Sequence, residues 1–107
     1  MYKSVVIFFL SSVVISSNVF AYCKVEDAII TQVGQYHDGH IFVNFDKQTN
    51  CPCSIKHRMA LHKDHEKFMS SMVLTAFTTG KKVRAEGEEA CSVHGNTAKL
   101  VIFDVYK

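Results

Sequence analysis

Residues 64–91 read DHEKFMSSMVLTAFTTGKKVRAEGEEAC and decide the fold: a helix, a glycine stop, and a strand that runs toward a cysteine. Phe68, Met69, Met72, Val73 and Ala76 recur at the helical period, an apolar stripe that requires a core to face. Asp64 stands where an N-cap is needed, and Glu66 in the first turn suits the helix dipole. Thr78 and Thr79 continue a helix poorly, and Gly80 readily takes the left-handed conformation that ends one. Lys81, Val83 and Ala85 then alternate with Lys82, Arg84 and Glu86, which is the period of a strand.

Working outward, residues 28–36 (AIITQVGQY) are rich in β-formers, and Ile41, Val43 and Phe45 alternate with His40, Phe42 and Asn44. Asp38-Gly39 between two such runs is a strong short hairpin signal, read as a turn whose residues both tolerate positive φ. Residues 46–50 form a polar loop leading into Cys51-Pro52-Cys53, where the chain's one proline fixes a bend. Residues 55–61 hold a short third strand with Met59 and Leu61 on one side. After the helix and fourth strand, residues 87–89 break the strand and His94-Gly95-Asn96 makes a turn. Residues 99–106 (KLVIFDVY) are a last strand, apolar enough to be buried for most of its length. The order β-β-β-α-β-β predicts a mainly β protein with one helix, an OB-fold five-stranded barrel. A mixed α+β sheet with the helix across one face is the competing arrangement.

The first 21 residues read as a signal peptide. Lys3 gives a positive start, an apolar run follows, and Val19-Phe20-Ala21 carries the small residues at −3 and −1 that a signal peptidase requires. The run is too short to span a bilayer comfortably, so no membrane insertion is expected. Tyr22 before Cys23 argues against a lipoprotein signal. Cleavage near Ala21 leaves residues 22–107 as one small domain, periplasmic or secreted. Without Lys3, the basic side chains exceed the 10 acidic ones by a single charge, so no nucleic acid partner is expected.

Cys23, Cys51, Cys53 and Cys91 all lie in that domain, and an even count in a small exported chain reads as a disulfide framework. Closure of Cys51 onto Cys53 would make a strained ring. Cys53–Cys91 with Cys23–Cys51 is favoured, and the swapped pairing stays open.

Several segments resemble the family of subtilase cytotoxin B subunits and their exported B-like relatives. They are Ile30-Thr31-Gln32 with Gly34-Gln35, Cys53-Ser54-Ile55-Lys56, and Ala76-Phe77-Thr78-Thr79-Gly80 continuing into Val83-Arg84. The resemblance implies an OB barrel that forms a homopentamer, binds sialylated host glycans, partners a catalytic toxin A subunit, and is not itself an enzyme. The family serine that contacts sialic acid falls at Glu26, and its glycan-binding tyrosine falls near Gly87. A family cysteine in the second strand is Val43 here. A carboxylate at Glu26 repels an acidic sugar, so the fold is expected to transfer and the sialic acid specificity is not. Binding is expected on the barrel face near Glu26, Asp27 and Arg84.

Other constellations carry less. His62 and His65 read as a solvated helix start, not as a metal pair, because His62 precedes the cap. Cys51 and Cys53 with His57 would suit zinc in a reducing compartment, but export makes the thiols disulfides. No Cys-x-x-Cys redox motif is present. Lys81, Lys82 and Arg84, with Lys56 and Arg58, are weighed as a basic patch of the kind OB barrels use for nucleic acid; Glu86, Glu88 and Glu89 follow at once and favour a mixed, solvated strand. No cofactor or metal is expected. The two functional readings are a glycan-binding module of toxin B type and a stand-alone periplasmic protein without a sugar ligand.

Overall fold

The computed structural model describes residues 22–107, and the expected signal peptide at 1–21 lies outside the described residues. The elements run β1 (Tyr22–Gln35), β2 (His40–Phe45), β3 (Arg58–His62), α1 (Lys67–Thr79), β4 (Lys82–Glu88) and β5 (Ala98–Tyr106). The strands close into a barrel in the order β1-β2-β3-β5-β4, with β4 pairing back onto β1. Every junction is antiparallel except β3 against β5. This is the OB-fold barrel that the element order predicts.

β1 closes the barrel because it serves two partners, β4 along residues 22–29 and β2 along residues 30–35. Its register slips between Val25 and Ala28, where Asp27 takes φ 53°; the extra residue bends the strand from one neighbour toward the other. Tyr106 fastens this bend. Its hydroxyl donates to Asp27 Oδ1 (2.9 Å) and accepts from the Asp27 N–H (3.0 Å). The strand begins at Tyr22, well before residue 28, since Cys23 and Val25 already face inward and Lys24 and Glu26 outward.

Four other local expectations change. The β1–β2 turn has a three-residue loop: the Gly39 N–H reaches the Tyr36 carbonyl, the Tyr36 N–H reaches the His40 carbonyl, and only Gly39 has positive φ. Glu66, not Asp64, occupies the N-cap, and its carboxylate accepts the His62 N–H at 2.7 Å instead of capping the helix. Gly87 does not break β4 but lies inside it, where the β4–β5 register slips; a Cβ there would approach the Lys99 carbonyl to 3.0 Å. β5 is not buried throughout: Ala98, Leu100 and Phe103 face in, while Lys99, Ile102, Asp104 and Tyr106 face out.

The helix caps the core through Val73 and Ala76, with Met69 and Met72 half-buried beside them. Phe68 leaves the expected stripe and is 79% exposed. Gly80 ends the helix in the left-handed region, its N–H on the Ala76 carbonyl. The barrel interior is filled by Val25, Ile30, Val43, Phe45, Met59, Leu61, Val83, Leu100 and Phe103. Two bridges, Cys23–Cys51 and Cys53–Cys91, fasten the β2–β3 connection to β1 and to the segment before β5. The second joins residues 38 apart in sequence. On chain-entropy grounds it contributes about 3–4 kcal/mol. Replacing Cys53 and Cys91 together by Ser is expected to lower the unfolding free energy by about that amount. Urea denaturation without reductant measures it, and a loss below about 1 kcal/mol would show that the bridge does not hold the fold.

Candidate functional site

Along β2 the inward residues are Ile41, Val43 and Phe45, which leaves His40, Phe42 and Asn44 on the outer face. The register sets Phe42 opposite Gly34 of β1 and Ala60 of β3, and Asn44 opposite Gln32 and Arg58. Gly34 has no side chain to occupy its own site, so the Phe42 ring lies across it; a Cβ at residue 34 would sit 2.3 Å from Phe42 Cζ. Arg58 lies over the same ring, its guanidinium carbon 4.3 Å from the Phe42 ring centroid. Its Nε donates to Asn44 Oδ1 at 2.7 Å and its Nη1 to the Tyr36 hydroxyl at 3.0 Å. Asn44, only 5% exposed, passes the network on to Gln32 Oε1 at 2.9 Å. Tyr36 packs against Phe42 with ring centroids 5.2 Å apart.

The result is a flat patch of two rings, two amides and one guanidinium, each side chain held by another. Among the described residues no carboxylate pairs with Arg58. Its positive charge is therefore uncompensated beside an aromatic surface. Outer β2–β3 surfaces and the adjoining β1–β2 and β4–β5 loops are where OB barrels take up oligosaccharides and oligonucleotides.

At one end of this patch a histidine corner begins. Tyr36 meets His94 edge-on at 4.4 Å. His94 belongs to the turn after β4, has φ 55°, and places Nε2 2.8 Å from Asp38 Oδ2. His40 Nδ1 lies 3.2 Å from the same oxygen. The His94 ring and then the His40 backbone N–H hold the Asp38 carboxyl well below the usual carboxylate range. His62 packs edge-on to His40 at 5.1 Å, and His65 stacks on His62 at 4.5 Å. His62 and His65 thus come together without sharing a helix, across the turn that precedes α1. With Leu61, Glu66 and Val93 they line a cleft of about 220 Å³.

The three residues expected to bind, Glu26, Asp27 and Arg84, lie on neighbouring strands, the first two at the β1 bulge and Arg84 opposite it on β4. Each is engaged. Arg84 ion-pairs with Glu86 and with Asp104 Oδ2 (2.6 Å), and these carboxylates raise its pKa further. Asp27 is clamped by Tyr106, and Glu26 sits 3.6 Å from Lys24. The weighed basic patch is dispersed: Arg58 is on Phe42, Arg84 is neutralised, and Lys56 donates to the Cys51 carbonyl at 2.8 Å. The disulfides occupy the thiols that would have offered zinc a site with His57.

The sequence marks Arg58 only as a member of the basic patch, and marks none of Gln32, Tyr36, Phe42 and Asn44 as a binding residue. The signal for Phe42 is its parity: a large ring on the outward register of an alternating strand. Neither protein-family models nor curated proteins match this chain.

Removing the Arg58 side chain strands the buried Asn44 carbonyl oxygen, so Arg58→Ala is expected to cost about 1–3 kcal/mol. Arg58→Lys cannot reproduce the forked contacts and should recover only a part of this. Paired urea melts of the two variants test it; equal stability to wild type would remove the network from any structural role.

Proposed function

We propose that the chain is an exported, non-catalytic binding module that recognises acidic glycans through the outer face of β1, β2 and β3. The observation that carries this reading is the uncompensated Arg58 guanidinium over Phe42, flanked by Tyr36, Asn44 and Gln32. The Tyr36 ring can take the apolar face of a sugar, the exposed Gln32 amide its hydroxyls, and the guanidinium N–H groups that Asn44 and Tyr36 leave unused its carboxylate. The near-neutral charge balance of residues 22–107 and the export signal at 1–21 favour a sugar over a nucleic acid. The resemblance to subtilase cytotoxin B subunits supports the same class, at a different face. The buried Gly87 leaves no room for a sugar-contacting side chain there, near where the resemblance puts the family tyrosine.

Assembly as a homopentamer belongs to this proposal. Its support is the exposed apolar side chains Leu74 and Phe77 on one flank of the helix and Phe68 on the other, which leave α1 with apolar surface on both sides for neighbours in a ring to cover. A toxin A subunit is the partner the resemblance implies for such a ring. The second reading is a stand-alone periplasmic protein, and Glu26 at the family's sialic acid position, together with Gly87, favours it.

Titrating the oxidised, exported protein with a sialylated oligosaccharide and its neutral counterpart is the test. The acidic form should bind, and Gly34→Ala, which displaces the Phe42 ring, should weaken it by at least about tenfold while the barrel remains folded. No binding by the wild type sinks the glycan reading. Light scattering separates the assemblies: a mass of five chains supports the ring, and a single chain supports the stand-alone protein.

A further inference from the structure

Asp38, His40 and His94 come from the β1–β2 turn, the start of β2 and the turn before β5, yet Asp38 Oδ2, His40 Nδ1 and His94 Nε2 all lie within 4.8 Å of one another. We propose that these three atoms form a site for a divalent transition metal ion of the zinc class, with one coordination position left to an external ligand.

Three features support it. The first is spacing. A tetrahedral ion with bonds of about 2.0–2.2 Å sets its ligand atoms about 3.3–3.6 Å apart. The carboxylate oxygen stands 3.2 Å from His40 Nδ1, close to that spacing, and 2.8 Å from His94 Nε2, a hydrogen-bond distance from which the exposed His94 ring need withdraw only about 0.5 Å to admit the ion. The second is an orphaned atom. His40 Nδ1 is shielded from solvent and makes no well-aligned hydrogen bond, although the Asp38 oxygen is near it. Unprotonated, that nitrogen turns a lone pair toward a carboxylate oxygen, a repulsive arrangement that a cation between them resolves. The third is support behind the ligands. Asp38 Oδ1 accepts the His40 N–H at 3.0 Å, which fixes the carboxylate with Oδ2 toward both rings. The rings of Tyr36 and His62 pack against His94 and His40. The hydrogen bond behind the carboxylate is of the kind that orients ligands in metal sites, and the packed rings limit how far the imidazoles turn.

Two imidazoles and a carboxylate suit zinc, copper(II) and nickel(II), and no free thiol among the described residues competes for the ion. Three protein ligands leave the open position typical of zinc sites that are not purely structural. The ion would join two turns 56 residues apart at the edge of the β1–β3 patch, so it would also stiffen the loops that frame that patch.

Zinc chloride titrated into the untagged, disulfide-bonded protein tests the assignment, with calorimetry for stoichiometry and ring NMR signals for location. One zinc per chain is expected, shifting the His40 and His94 rings most. His94→Gln and Asp38→Asn should each weaken binding by at least about tenfold, and His65→Gln should not. The NMR shifts on the wild-type protein decide the location even where a variant misfolds. The proposal is overturned by an absence of zinc uptake, by undiminished uptake in folded His94→Gln, or by shifts confined to His62 and His65.

Discussion

The β2–β3 connection, residues 46–57, has no strand of its own to pair with, and the barrel depends on how it is held. Cys51 and Cys53 are separated only by Pro52, and their bridges diverge to Cys23 on β1 and to Cys91 before β5. Both sulfur pairs are packed among core residues, so they add apolar contact as well as chain closure. In a domain this small the apolar core alone gives a narrow margin, and two covalent ties contribute a large share of it. With this connection fixed, β3 is delivered beside β2 in the register that aligns Asn44 with Arg58.

That register creates the outer patch. Arg58 performs three tasks at once: it satisfies a buried amide, orients Tyr36, and covers Phe42. Arg84 provides a contrast on the same barrel. It is equally charged, but Glu86 and Asp104 neutralise it across β4 and β5. A guanidinium already paired with two carboxylates has little left to give an acidic ligand, whereas one stacked on a ring and bonded to neutral groups keeps its charge. The difference between the two arginines follows from their neighbours in the sheet.

Much of the fold is legible in the sequence, because alternation and turn chemistry are local. Gly80, the Asp38-Gly39 turn and the alternation of Val83 and Ala85 each act within a few residues. The misreadings occur where tertiary geometry overrides local preference. Gly87 looks like a strand breaker, but β4 retains it because β5 passes too close for a side chain. Phe68 fits a helical stripe by spacing, yet the helix core contact is made further along, at Val73 and Ala76. The patch and the histidine corner are harder still to read. Asn44 meets Arg58 and Asp38 meets His94 only after the barrel closes, and no local period encodes those pairings. Glu26, Asp27 and Arg84 are chargeable and adjacent in the sheet, which sequence order conveys; that each already has a partner is a property of the folded surface.

The seam between β3 and β5 joins only Met59 to Ala98 and Ala60 to Lys99, while the other junctions run through five or six residue pairs. Transient opening of a closed sheet begins where the fewest backbone bonds resist it. Parting here would turn the barrel into an open sheet with two unsatisfied edges, each a template for a strand from another molecule. Cys53 lies just before β3 and Cys91 precedes β5, so their bridge acts as a latch across this seam. Reduction of this bridge would therefore do more than lower the melting temperature. It would free two sticky edges and set the chain on a path to strand exchange between copies.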